Sequence, residues 1–260
     1  MKVALIGSTG RAGGWVLEEC LSRGYDVTAL VRKASKLDAY QDRITVVEGD
    51  ATNAQDLRRL IYDGDDNTSV QLKVQVVIST IGSPNKEILV VKKAAEALVE
   101  ALNDQSASSN IPRIIWMTST GINEATDQAK SYTLFGKSSR WLCGYGFFGL
   151  LQFKILIPYV ISQQLWDDMA HSETVLRENA VVKQQTVILR PGNMYPVSEA
   201  ATFSEQWRKE GGDNMEYVFV GAEELPPGKW IGKRAIAAAI CDLIEDTSHD
   251  GSAVSVFQKR

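Results

Sequence analysis

Cysteine is scarce in this chain of 260 residues: Cys20, Cys143 and Cys241 lie far apart, and no Cys-x-x-Cys pair occurs. That spacing excludes the usual zinc-site and redox-dithiol patterns, so the three read as small buried hydrophobes in a reducing compartment. Excess basic charge is also missing. Lys and Arg total 28 against 32 Asp and Glu, a formal net charge of -4, which argues against a nucleic-acid binder with its clustered basic surface. The first residues lack a basic stretch followed by a long apolar one, so no secretory signal is expected and a cytoplasmic protein is the default. Residues 141–161 alone approach the length of a bilayer span. Gln152, Lys154 and Pro158 interrupt them and Gly144, Gly146 and Gly149 weaken their helix, which argues against spanning and leaves peripheral surface association open.

What is present is the composition of one ordinary globular domain, 44% hydrophobic and 23% charged, with 20 Gly and 7 Pro. A fold of this length buries roughly 70 to 75% of the surface its unfolded chain exposes, so its core needs no metal or staple. Lys2 to Ile6 is an apolar run closed by Gly7, and Ala12 to Leu21 repeats apolar residues at helical spacing. Asp26 to Val31, Ile44 to Val47, Val74 to Ile78 and Ile114 to Met117 predict four more strands. Asn53 predicts a helix cap, and a further helix is expected from about Glu87 to Leu102, with Ile88, Val91, Ala95, Leu98 and Leu102 on one face. Short buried strands alternating with amphipathic helices predict right-handed βαβ units, hence an α/β fold with a Rossmann-type doubly wound parallel sheet.

After Gly121 this rhythm breaks. About forty residues precede the next helix, Asp167 to Asn179, and the sixth strand, Thr186 to Leu189. A second variable stretch runs from Asn193 to about Trp230, before a helix from Ile231 to Glu245 and a strand from Ala253 to Phe257. The expected organisation is a single domain over residues 1–260, with substrate-side insertions at 122–166 and 193–230.

The sharpest motif is Gly7-Ser8-Thr9-Gly10-Arg11-Ala12-Gly13, between the first strand and its helix. The first glycine suits a tight turn, the second lets backbone approach a pyrophosphate, and the third lets helix pack on strand, while the helix N-terminus receives the anion. At the end of the second strand, where an NAD site usually places an acid, stands Arg32, with Lys33 and Lys36 close behind and Arg11 in the glycine loop. Guanidinium grips a ribose 2′-phosphate that a carboxylate would repel, so the cofactor reads as NADP(H).

With these residues the chain resembles the atypical short-chain dehydrogenase/reductases, in the NAD(P)-binding, NmrA-like group that includes the biliverdin-IXβ/flavin reductases. The matching pieces are Gly7 to Gly13, Val31-Arg32, Glu48-Gly49-Asp50-Ala51, Ser79-Thr80-Ile81-Gly82, Met117-Thr118-Ser119, Asp167-Asp168 with Val175-Leu176-Arg177-Glu178, and Ile188-Leu189-Arg190-Pro191-Gly192. The resemblance implies that Asp50 and Ala51 hold the adenine edge and that Thr80, Ile81 and Gly82 line the adenosine and ribose. It also implies that Thr118 and Ser119 lie beside the nicotinamide, with Pro191 completing the cofactor set. Asp50 has a second, lesser reading as a helix cap.

An ordinary short-chain dehydrogenase carries Tyr-x-x-x-Lys, and here no tyrosine has lysine four residues on; Tyr132 comes nearest, with Lys137 one place too far. Three readings therefore fit. NADPH passes hydride to a flat, electron-poor acceptor such as a flavin, quinone or tetrapyrrole, with Ser119 or water supplying the proton. Alternatively the chain binds NADP(H) as a sensor, or it runs an isomerisation or cyclisation. Tyr132, Trp141, Tyr145, Phe147, Phe148, Phe153, Tyr159 and Trp166 crowd the first insertion, either roofing a small hydrophobic substrate as a lid or forming a satellite core. His171 reads as a proton shuttle or as structural, and Asp168 and Glu173 as family positions or as charges in the first turn of their helix. His249 has no expected role. The expected assembly is a monomer or small homo-oligomer.

Overall fold

The computed structural model describes residues 1–63, 71–85, 87–103, 111–120, 163–194, 216–221 and 230–259. β-Branched runs supply the strands β1 (Lys2–Ile6), β2 (Asp26–Val31) and β3 (Thr45–Glu48), with helix α1 (Gly13–Ser22) between the first two. Helix α2 (Ala54–Ile61) starts where the Asn53 side chain accepts hydrogen bonds from the Gln55 and Asp56 amides, so Asn53, and not Asp50, is its cap. A short antiparallel pair, β4 (Tyr62–Asp63) and β5 (Gln71–Leu72), follows. Then come β6 (Val76–Ser79), α3 (Val91–Asn103), β7 (Arg113–Met117), α4 (Gln163–Glu178) and β8 (Thr186–Pro191). The described chain closes with β9 (Asn193–Met194), β10 (Tyr217–Val220), β11 (Trp230–Ile231), α5 (Lys233–Glu245) and β12 (Ala253–Gln258).

Eight strands form one sheet in the order β10-β12-β8-β7-β6-β1-β2-β3. Every neighbouring pair is parallel except β10 with β12. The chain thus winds outward from β1 in both directions, as a Rossmann-type sheet does, and its switch point lies between β1 and β6. Alternate strand residues feed opposite faces. Val3, Leu5, Ile78 and Ile115 pack under α1 and α5, and Ala4, Ile6, Val77 and Trp116 under α2, α3 and α4.

The edge strand β10 has no counterpart in the sequence-based expectation. Helix α3 also begins later than periodicity predicts. Asn85 Oδ1 accepts from the Glu87 and Ile88 amides, a local turn that competes with helix, and Ile88, expected on the buried face, is 51% exposed. Cys20 of α1 and Cys241 of α5 are buried with Sγ atoms 3.6 Å apart, a contact that sequence separation hid; Cys143 lies outside the described residues. Among those residues no helix is long and apolar enough to cross a membrane and no group of metal-ligating side chains gathers. The apolar segment 141–161 falls outside them.

Candidate functional site

The glycine loop sits at the carboxyl end of β1, beside the switch point. Gly7 has φ of +87°, which L side chains rarely adopt, and a Cβ added there would lie 2.9 Å from Thr80 Oγ1. At Gly13 the fit is tighter still, with a Cβ falling 2.0 Å from the Gly7 carbonyl oxygen and 2.6 Å from Thr80 Oγ1. The Gly10 amide donates to the Gly7 carbonyl at 2.8 Å, and the Thr80 amide and hydroxyl both donate to the Ile6 carbonyl. The loop is therefore a cradle clamped against β6. Thr9, Gly10 and Arg11 stand exposed at its tip, and Ala12 is buried.

Two features of this cradle fit a bound pyrophosphate. Ser8 is 2% exposed and its Oγ has no hydrogen-bond partner, and such an orphaned buried hydroxyl requires an explanation. Helix α1 has no side-chain cap and no acid in its first turn, so the positive end of its dipole faces an anion without competition from a carboxylate. Arg32, Lys33 and Lys36 lie exposed past the end of β2, and they and Arg11 form no ion pair among the described residues.

An acid does reach this corner, from the neighbouring strand. Glu48 ends β3 in register with Val31, and its Oε2 accepts a hydrogen bond from the Ala34 amide at 3.0 Å. Beyond it, Asp50 Oδ1 accepts from the amide and hydroxyl of Thr52, and the Asp50 amide donates to Asp56 Oδ2. That amide and then the Arg59 guanidinium, 2.5 Å from Asp56 Oδ1, hold the Asp56 carboxyl below the usual carboxylate range. Asp50 is exposed and Ala51 buried at this edge, while Ile81 is half-buried and Gly82 exposed at the end of β6.

On the far side of the switch point, helix α4 braces the strand ends with two buried carboxylates. Asp168 accepts from Ser83 Oγ at 2.5 Å and from the Val91 and Lys92 amides at 3.0 Å each. It caps the first turn of α3 rather than charging its own helix. Glu173 forms a bidentate pair with Arg190 at 3.1 and 2.5 Å, and its Oε1 also accepts from Thr118 Oγ1 at 2.6 Å. The Thr118 hydroxyl is thus committed to Glu173. Ser119 is half-buried, and its hydroxyl donates only a long bond to the Thr120 carbonyl, 3.3 Å. Pro191 is buried in β8, and its carbonyl accepts from the Thr120 amide and hydroxyl.

His171 does not join them. It is exposed, and at 100° per residue it lies about 200° around α4 from Glu173, on the outer face. The expected proton shuttle therefore has no geometric support. Tyr132 and the insertion aromatics Trp141 to Tyr159 lie outside the described residues, and with them most of the expected lid; Trp166 lies on α4.

Sequence reasoning gave Glu48 no role at this corner and could not see that Asp168 caps α3, because their partners stand 14 and 77 positions away. Asp168→Ala is expected to destabilise the fold by about 2 kcal/mol, since it removes the cap of α3 and strands the buried Val91 amide. Urea unfolding should register this as a lower midpoint at unchanged slope.

The sequence profile of the NAD(P)H-binding family matches residues 7–142, just over half of the chain. YwnB, an uncharacterized protein of Bacillus subtilis (strain 168), is 32% identical over 107 residues, which are 40% of this chain and 42% of that protein. The match therefore spans less than half of that relative. Among solved structures, a Streptococcus pneumoniae TIGR4 protein to which NADH-flavin reductase activity is ascribed aligns with TM-score 0.64 and 18% identity, over 100% of both chains. A wide-type short-chain dehydrogenase/reductase from Veillonella parvula DSM 2008, in complex with NADP, aligns with TM-score 0.60 and 15% identity, over 98% of this chain and 93% of that one. At such identities the shared property is the fold.

Proposed function

Because this chain belongs to the NAD(P)H-binding family, we propose that it is an NADPH-dependent oxidoreductase whose acceptor is a flat conjugated molecule such as a flavin, quinone or tetrapyrrole. The observation that carries the reading is the glycine cradle of Gly7, Gly10 and Gly13, closed by Thr80 and holding the unpartnered Ser8 hydroxyl. The bound nucleotide supplies hydride, and the protein supplies position and electrostatics. Gly7 to Gly13 receive the pyrophosphate. Asp50 and Ala51 border the adenine, and Thr80, Ile81 and Gly82 the ribose. Ser119 gives the proton, a role the neighbouring Thr118 does not take because its hydroxyl is spent on Glu173. An extended acceptor asks little of a protein acid, which accords with the absence of Tyr-x-x-x-Lys from the sequence.

The choice between cofactors rests on local charge, since the aligned structures include a protein named for NADH and another holding NADP. Arg32, Lys36 and Arg11 favour the 2′-phosphate. NADPH is expected to bind about tenfold more tightly than NADH, because one charge-assisted contact is worth about 1.5 to 3 kcal/mol. Calorimetric titration checks this, and Arg32→Asp should erase the difference. Mixing NADPH with a flavin, a quinone or a tetrapyrrole and following its oxidation tests the activity itself. Tight binding with no turnover on any acceptor would instead support a cofactor sensor.

A further inference from the structure

The corner that meets the adenosine ribose carries charges of both signs. Arg32 and Lys33 extend from β2, while Glu48 arrives from β3 and caps the backbone between them and Ala34, with its Oε2 3.0 Å from the Ala34 amide. The position of Glu48 is set by its backbone. The strand register pairs it with Val31, the Gly49 amide donates to the Val31 carbonyl at 2.9 Å, and Arg59 donates to the Glu48 carbonyl. A Cβ on Gly49 would lie 2.8 Å from the Asp56 side chain, so the end of β3 is packed where it stands. The carboxylate is thereby held against the turn that carries the phosphate-gripping cations.

We propose that Glu48 is a specificity-determining residue, whose charge weakens binding of a 2′-phosphorylated nucleotide and so limits the preference for NADPH over NADH. The inference rests on the nucleotide reading above. A carboxylate a few ångströms from a dianionic 2′-phosphate opposes it, whereas an unphosphorylated ribose feels little. Glu48 also tethers the turn, so removing the whole side chain would confound tether with charge. Glu48→Gln separates them: its amide oxygen can still accept from Ala34 while the charge is gone.

The test is calorimetric titration of the full chain and of Glu48→Gln with 2′,5′-ADP and with 5′-ADP, at low salt and at high salt. The variant should bind 2′,5′-ADP about threefold more tightly, the size expected for one screened charge facing a phosphate, with 5′-ADP affinity unchanged. The gain should fade at high salt. An unchanged or lower ratio of the two affinities would overturn the inference while leaving the nucleotide reading intact. Equal weakening of both ligands would also overturn it, and would assign Glu48 to the tether alone. Failure of the unaltered chain to bind either nucleotide would remove both readings together.

Discussion

Replacing Glu173 by alanine is expected to lower the stability of the fold by about 3 to 5 kcal/mol, because it leaves the Arg190 guanidinium unpaired in the core. Both side chains are nearly inaccessible, 7% exposed for Arg190 and 5% for Glu173, so water offers little compensation. The same carboxylate accepts from Thr118, and that hydroxyl loses its partner too. A chain of this size should melt about 10 °C lower, at roughly 2 to 4 °C per kcal/mol. Removing both charges distinguishes a stranded ion from a merely looser core: Glu173→Leu with Arg190→Met should recover most of the loss, as apolar replacements of buried pairs often do. A cost under about 1 kcal/mol for Glu173→Ala would contradict the buried pairing.

Gly13→Ala is expected to have the largest effect on nucleotide binding. The added carbon would lie 2.0 Å from the Gly7 carbonyl oxygen and 2.7 Å from its carbon, and backbone cannot yield as a flexible side chain does. Relief requires α1 to move off β1, which displaces the loop proposed to receive the pyrophosphate. Affinity for NADPH should fall at least about hundredfold, equivalent to about 2.7 kcal/mol, alongside an overpacking cost to the fold of about 1 to 3 kcal/mol. Gly82→Ala is the control for stability alone, since Gly82 belongs to the proposed ribose contacts. A Cβ at Gly82 meets nothing within 4 Å, so this change in the same cleft should leave stability within about 0.5 kcal/mol. Equal stability costs at the two glycines would show that the close contact at Gly13 does not constrain α1, and unchanged NADPH affinity in Gly13→Ala would show that the cradle is not what the ligand uses.

Much of this molecule is written locally and could be read without coordinates. The parallel α/β sheet followed from buried runs such as Val3 to Ile6 and Val76 to Ile78 alternating with helices, because strand and helix periodicities are properties of neighbouring residues. The glycine loop was legible for the same reason: Gly7, Gly10 and Gly13 act on one another within seven residues. The cap of α2 at Asn53 is likewise local, its bonds reaching only Gln55 and Asp56.

The tertiary structure decided what distant residues do to each other. Asp168, legible as a family position or as a charge in the first turn of its helix, caps a different helix 77 positions earlier, and Glu173 finds Arg190 because α4 lies across the ends of β7 and β8. Cys20 and Cys241 meet across 221 positions, and β10 pairs antiparallel with β12 because a closing chain offered it an edge. Glu48 is the plainest case. By sequence the corner past β2 holds only Arg32, Lys33 and Lys36, but strand register sets Glu48 beside Val31, and register depends on how two strands pack, which residues near either one do not encode.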